Sequence, residues 1–197
     1  LGYLHSMRVM HRDLKPSNVL LGGDHATIAD FGMARSFRAP LRPLSDDGTV
    51  ATLWYRAPEL LLGAKEYCVA IDNWALGCII GEMSRATPNP IFSGTEAKRG
   101  ELEADQARSV FRVLGLPSPS AWPDVVRLVH WPKVQQWDAA DYPAGDSLAH
   151  ALWPTRTPTA EEEQLLGLLR GLLHFEPGTR LTAKAALQHA WTRQQNS

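Results

Sequence analysis

Asp13, Lys15 and Asn18 crowd into one short run, His11-Arg12-Asp13-Leu14-Lys15-Pro16-Ser17-Asn18, and a second acidic residue opens Asp30-Phe31-Gly32 a little further on. A carboxylate such as Asp13 can accept the proton of a hydroxyl and orient its oxygen. Lys15 supplies a compact positive charge able to follow an anionic group as it moves. Asn18 and Asp30 offer hard oxygen ligands, the kind Mg²⁺ prefers. Together these groups suit phosphoryl transfer, where the protein does little covalent work and must align a hydroxyl and neutralise phosphate charge. A lone Asp or Lys is by default a solvated loop residue; four suitable groups in register are a candidate site.

The elements that must position them can be read from the surrounding pattern. Val19-Leu20-Leu21 and Ala26-Thr27-Ile28-Ala29 read as two short strands joined by the turn-forming Gly22-Gly23-Asp24, which would bring Asp30 back beside Asn18. Residues 1 to about 8 read as the end of a helix, and Leu1-Gly2-Tyr3-Leu4-His5 has helical apolar spacing without a preceding cap. Asp30 to about Pro58 has little periodicity, and such a long irregular stretch is more often functional than idle. Helical spacing returns over Glu59 to Leu62, Cys68 to Met83 and Asp105 to Leu114, the second of these apolar almost all round. Residues 117 to 160 read as ordered loop with short helical turns. Two closing helices follow, Ala160 to Leu173 with Thr159 or Thr157 as N-cap, and Thr182 to Ala190 capped by Thr182. The expected fold is mainly α with a small β element.

Composition sets the bounds. The chain has 197 residues, 44% hydrophobic and 21% charged, which suits one globular domain. Its formal charge of −1 gives no bulk electrostatic argument for binding nucleic acid or an anionic membrane, so phosphate chemistry must be local. Cys68 and Cys78 lack CxxC spacing and read as small buried residues of a reducing, intracellular compartment. No apolar run approaches the ~20 residues of a membrane span.

The His11 to Asn18 run resembles the catalytic loop of protein kinases, with Asp30-Phe31-Gly32 and Ala57-Pro58-Glu59 following in the family's order. Seven specified positions give odds of coincidence on the order of one in a billion per window. The resemblance runs from Leu1 to about Trp191, and implies a protein-kinase-like fold of which the C-terminal lobe is present: a partial kinase domain over residues 1–191 and a tail over 192–197. It implies ATP and Mg²⁺ as cofactors, Asp13 and Lys15 as catalytic, and Lys15, Asn18 and Asp30 as cofactor-binding, with the last two on the metal. His11 and Arg12 resemble organisers of the catalytic and activation loops. Asp72 resembles the acceptor of hydrogen bonds from the catalytic-loop backbone, and Glu59 and Arg180 the family's buried ion pair.

Within the family, Thr52-Leu53-Trp54-Tyr55-Arg56-Ala57-Pro58-Glu59-Leu60-Leu61-Leu62-Gly63 looks like the cyclin-dependent branch, whose members phosphorylate Ser or Thr followed by proline. The resemblance implies that Thr52 bonds Asp13 and Lys15, and that Arg56 shapes the proline pocket with the backbone near Val50 and Ala51; the family more often has Val where Ala51 stands. Residues 34–48, and Pro90-Ile91-Phe92-Ser93-Gly94 through Asp105-Gln106, are similar to the Mediator-associated, cyclin-C-partnered members called E-type in plants. Asp47 stands where cell-cycle members carry an activating threonine, and could supply a permanent negative charge with Arg12 and Arg35 as partners. Arg38 and Arg42 read as solvated.

That resemblance implies a C-type cyclin and the Mediator kinase module as partners. It also implies the C-terminal domain of RNA polymerase II and transcription factors as Ser/Thr-Pro substrates, a nuclear location, and no direct contact with nucleic acid or membrane. Two other readings compete: another proline-directed cyclin-dependent kinase of the cell-cycle type, and a non-catalytic kinase-like scaffold. The parts that hold ATP and cyclin in this family lie before the position of Leu1, so the sequence reads as a truncated enzyme whose 197 residues alone should have little activity.

Overall fold

The computed structural model describes residues 1–37, 52–85, 89–94 and 102–194. Its N-terminal part is a small ribbon region. Helix α1 (Gly2–Ser6) leads into β1 (Val9–Met10), and β2 (Val19–Gly22) and β3 (His25–Ile28) form an antiparallel hairpin in the register Val19 to Ile28 and Gly22 to His25. Gly23 takes φ +57° at the turn, a left-handed conformation that costs glycine nothing. The short strand β4 (Arg35–Ser36) pairs antiparallel with β1. These two-residue strands carry no alternation and were not legible in the sequence. Their pairing is non-local, and Phe37 extends it by donating its N–H to the Arg8 carbonyl.

The rest is helical: α2 (Pro58–Leu61), α3 (Ala70–Met83), α4 (Leu102–Leu114), α5 (Trp131–Val134), α6 (Leu148–Leu152), α7 (Ala160–Leu172), α8 (Ala183–Ala186) and α9 (Ala190–Gln194). Helix α3 is the central post. It is buried on nearly every face, and Trp74 at its middle stacks on Phe92 with ring centroids 5.7 Å apart. It packs against α7, whose Leu165, Leu166, Leu168, Leu169 and Leu172 are buried. Gly77 allows that approach, since a Cβ there would sit 2.9 Å from Cβ of Leu172. Each buried leucine contributes roughly 1.5–3 kcal/mol of transfer free energy, so this seam holds the post upright.

Helix starts follow the expected chemistry. Thr159 caps α7 in a full capping box, its hydroxyl accepting the Glu162 N–H while the Glu162 carboxylate accepts the Thr159 N–H. Thr182 caps α8 through the Ala185 N–H. The final helix, expected to be continuous to Ala190, is instead split. Gln188 and His189 donate to carbonyls three residues back, and His189 Nδ1 accepts the Trp191 N–H, so its side chain starts a new helix. Cys78 is buried, Cys68 half-buried, and neither is in a disulfide; burial pushes both thiols up.

Candidate active site

The loop from His11 to Lys15 is held from below by α3. Asp72, buried on its first turn, accepts the His11 N–H on Oδ2 at 2.9 Å and the Arg12 N–H on Oδ1 at 2.8 Å. His5 of α1 adds a bond from Nε2 to the same Oδ2 at 3.0 Å. This pinning supports a strained backbone at Arg12, whose φ of +73° lies in the left-handed region that non-glycine residues avoid; Asp30 shares that region at φ +60°. His11 is wholly buried. Its Nε2 lies 2.9 Å from the Ala29 carbonyl, so it must donate there, while Nδ1 accepts the Asp13 N–H at 3.3 Å. These partners engage both ring nitrogens, so His11 organises the loop.

Asp13 is the hub. Its Oδ1 accepts the Thr52 N–H at 3.1 Å and the Thr52 hydroxyl at 3.0 Å. Its Oδ2 accepts Lys15 Nζ at 2.8 Å and Asn18 Nδ2 at 3.4 Å. Lys15 also donates to Thr52 Oγ1 at 3.2 Å, closing a triangle of carboxylate, ammonium and hydroxyl. Burial pushes the Asp13 carboxyl up, but the hydrogen bonds from Lys15 and Thr52 outweigh it and hold the group below the usual carboxylate value. Asp13 is therefore ionised at neutral pH and able to receive a proton or hold a hydroxyl in line.

The hairpin of β2 and β3 carries Asn18 and Asp30 at its base, linked by the Ala29 N–H donating to the Asn18 carbonyl at 2.9 Å. Asn18 donates Nδ2 to the Asp13 carbonyl at 2.9 Å, which leaves its amide oxygen without a hydrogen bond among the described residues. Asp30 accepts the Gly32 N–H on Oδ1 and, among the described residues, keeps Oδ2 without one. One amide and one carboxylate oxygen make a sparse, hard donor set, suited to Mg²⁺ that takes its remaining ligands from water and phosphate. No set of three His, Cys, Asp or Glu fit to hold a metal by itself occurs among the described residues.

Downstream, Glu59 of α2 meets Arg180 in a bidentate pair, both contacts at 2.8 Å, and Arg180 also donates to the Ala70, His174 and Phe175 carbonyls. Arg56 is buried and donates to Glu103 of α4 at 3.1 Å. Arg12 is buried with Nε and Nη2 lacking partners among the described residues, whereas Arg35 is exposed on β4. Asp47, Val50 and Ala51, like Arg38 and Arg42, lie outside the described residues.

Three contributors were given no role by the sequence reading. Tyr55 donates its hydroxyl to Glu82 at 2.7 Å. Glu103 anchors Arg56. Gln106, fully buried, accepts the Gly94 N–H and donates to the Phe92 carbonyl at 3.0 Å each, with a longer contact of 3.5 Å to the Trp54 carbonyl. Only Gln106 left a signal, as a polar residue one turn from Val110 within the apolar stripe of α4.

Comparison with known proteins agrees with this geometry. The protein kinase domain family matches residues 1–192. The chain is 45% identical to "Cyclin-dependent kinase E-1" of Arabidopsis thaliana over 98% of its length and 41% of that protein's. It is 40% identical to "Probable cyclin-dependent kinase 8" of Dictyostelium discoideum over 98% of its length and 50% of that protein's. It thus spans half or less of these curated relatives. Among solved structures it is similar to the "yeast RNA Pol II CTD kinase CTDK-1 complex", with a TM-score of 0.80 and 30% identity over 97% of this chain and 58% of the other. By sequence match, fold and the disposition of Asp13, Lys15, Asn18 and Asp30, the chain belongs to the protein kinase family and is similar to its cyclin-dependent members.

Proposed function

We propose that the protein carrying this chain transfers the γ-phosphoryl group of ATP to serine or threonine hydroxyls that precede proline. The observation that carries the reading is the triangle of Asp13, Lys15 and Thr52. The substrate hydroxyl would lie against Asp13, which receives its proton as the new oxygen–phosphorus bond forms and the bond to the leaving ADP breaks. Lys15, already beside Asp13, faces the charge that develops on the phosphoryl oxygens. Mg²⁺, held by Asn18 and Asp30, would supply charge neutralisation for the phosphates. Thr52 fixes the Asp13 carboxylate, and Asp72 fixes the loop that presents it.

The proline preference rests on Arg56, buried at the substrate-facing turn and braced by Glu103. Arg12 supports a further part of the reading: a buried guanidinium with open donors calls for an anion, and Asp47 is the acidic residue the resemblance assigns to it. Activity would then not require a phosphate on the activation segment. Similarity to the two cyclin-dependent kinases and to the polymerase-tail kinase complex supports a cyclin partner, and its C type is proposed on the resemblance stated above. Similarity to the polymerase-tail kinase complex supports the polymerase II C-terminal domain as substrate, and the Mediator kinase module and the nucleus are proposed on the resemblance carried by residues 34–48 and by Pro90 to Gln106.

The test is phosphate incorporation into a Ser-Pro repeat peptide by the full gene product, with and without a C-type cyclin. Transfer that needs cyclin and is lost when each proline becomes alanine supports the proposal. Equal rates on the two peptides would remove the proline-directed part, and obligate phosphorylation of Thr49 would remove the role of Asp47.

A further inference from the structure

We propose that the cavity behind the Glu59–Arg180 pair docks an arginine side chain from a peptide segment of a partner protein. Three stretches converge there: the residues after α2, the turn around Trp122 to Leu128, and Glu176-Pro177. The cavity measures about 240 Å³, below the roughly 300–1,000 Å³ of small-molecule sites, and suits one long side chain. Its apolar wall is Trp122, Leu128 and Pro177, and the Trp122 ring is fixed by stacking on Phe175 at 6.3 Å. Such a wall takes the methylene stem of an amphipathic side chain.

The charge is one-sided. Glu66, Asp124 and Glu176 line the cavity, and no lysine or arginine does. Glu66 makes no hydrogen bond or ion pair among the described residues. Asp124 pairs at 3.0 Å with Arg127, but these side chains are 66% and 81% exposed, and such pairs are weak and readily exchanged. Arg180 cannot neutralise the lining, because it is buried and committed to Glu59. A planar guanidinium can engage two carboxylates at once, which an ammonium does less well, and the same carboxylates repel the phosphates of a nucleic acid. Exposed Val126 and Val129, flanking Leu128, offer contact to an apolar neighbour of the arginine. None of the lining residues belongs to the cluster around Asp13, so docking is separable from phosphoryl transfer.

The test uses the full gene product and two labelled peptides that differ only in a central Leu-Arg-Leu or Leu-citrulline-Leu, read by fluorescence anisotropy. Charge-assisted hydrogen bonds imply that the arginine peptide binds about tenfold or more tightly than its neutral isostere. Glu66→Gln with Glu176→Gln should abolish that difference without changing the melting temperature, since Glu66 is exposed and Glu176 only half-buried. Asp13→Asn should bind like the unaltered protein. Cys68 lines the cavity, so the arginine peptide should slow its alkylation, followed by mass spectrometry of the fragment that contains it. Equal affinity for the two peptides, no binding at millimolar concentration, affinity that survives the double variant, or binding that leaves Cys68 alkylation unchanged would each overturn the proposal.

Discussion

Glu59 and Arg180 stand 121 residues apart in sequence, yet meet through two parallel hydrogen bonds of 2.8 Å in a site where both side chains are buried. The pair joins the segment that follows Thr52 to the helices that close the chain. Removing one partner of such a buried pair leaves the other charge uncompensated and typically costs about 3–5 kcal/mol. Glu59→Ala should therefore lower the unfolding free energy by about that amount, read by denaturant titration. Unchanged stability would mean that the pair does not hold the platform.

Asp72 satisfies two buried backbone donors at once. Asp72→Ala orphans the His11 and Arg12 N–H groups, at about 1–3 kcal/mol each, and releases Arg12 from the support of its left-handed conformation. Hydrogen exchange at these two amides should accelerate sharply, and phosphoryl transfer should fall with it. Protection that persists would show that the loop is held by other means.

Thr52 tests the triangle with little change in shape. Thr52→Val removes the hydroxyl that donates to Asp13 and accepts from Lys15, but keeps the backbone N–H. Of the two hydrogen bonds lost, the shorter one to the Asp13 carboxylate alone is worth about 1.5–3 kcal/mol, which predicts a fall in kcat of roughly 10- to 100-fold or more. Thr52→Ser should recover most of it. A serine variant as slow as the valine variant would place the effect in packing.

The Asp13 carboxyl is held below its ordinary value of 3.8 by Lys15 and Thr52 against the opposing effect of burial. For a depressed carboxyl, the stabilisation is fully present above the unfolded value and is lost as pH falls through the folded one. Asp13 should thus contribute no inflection to the rate between about pH 6 and 8. In Thr52→Val its titration, followed by carboxyl-carbon NMR, should move upward. A neutral-pH inflection that vanishes in Asp13→Asn would contradict the assignment.

How much of this could be read from the sequence depended on whether the signal was local. The Asp13 to Asn18 run, the hairpin that returns to Asp30, and the caps at Thr159 and Thr182 each sit within a few residues of what they organise, and were legible. Helix α3 was recognisable because its apolar residues run round every face. The pairing of β1 with β4 was not legible, since two residues show no period and the contact is non-local. The same holds for Glu103 under Arg56 and Glu82 under Tyr55: an acidic residue on a helix reads as solvated until the fold brings a buried partner to it. The break before α9 depended on His189 capping a helix, a role outside the usual Ser, Thr, Asp and Asn.

The central claim is that Asp13 receives the substrate hydroxyl in a phosphoryl transfer, and the most direct measurement is single-turnover transfer from labelled ATP to a Ser-Pro peptide. It should be made with the full gene product and its Asp13→Asn variant, which keeps the size of the side chain but removes its charge and turns one of its two acceptor oxygens into a donor. The account predicts that ATP binding is retained while transfer falls by about 10²- to 10⁴-fold, the range of a lost general base. A variant that transfers phosphate as fast as the unaltered protein would contradict it.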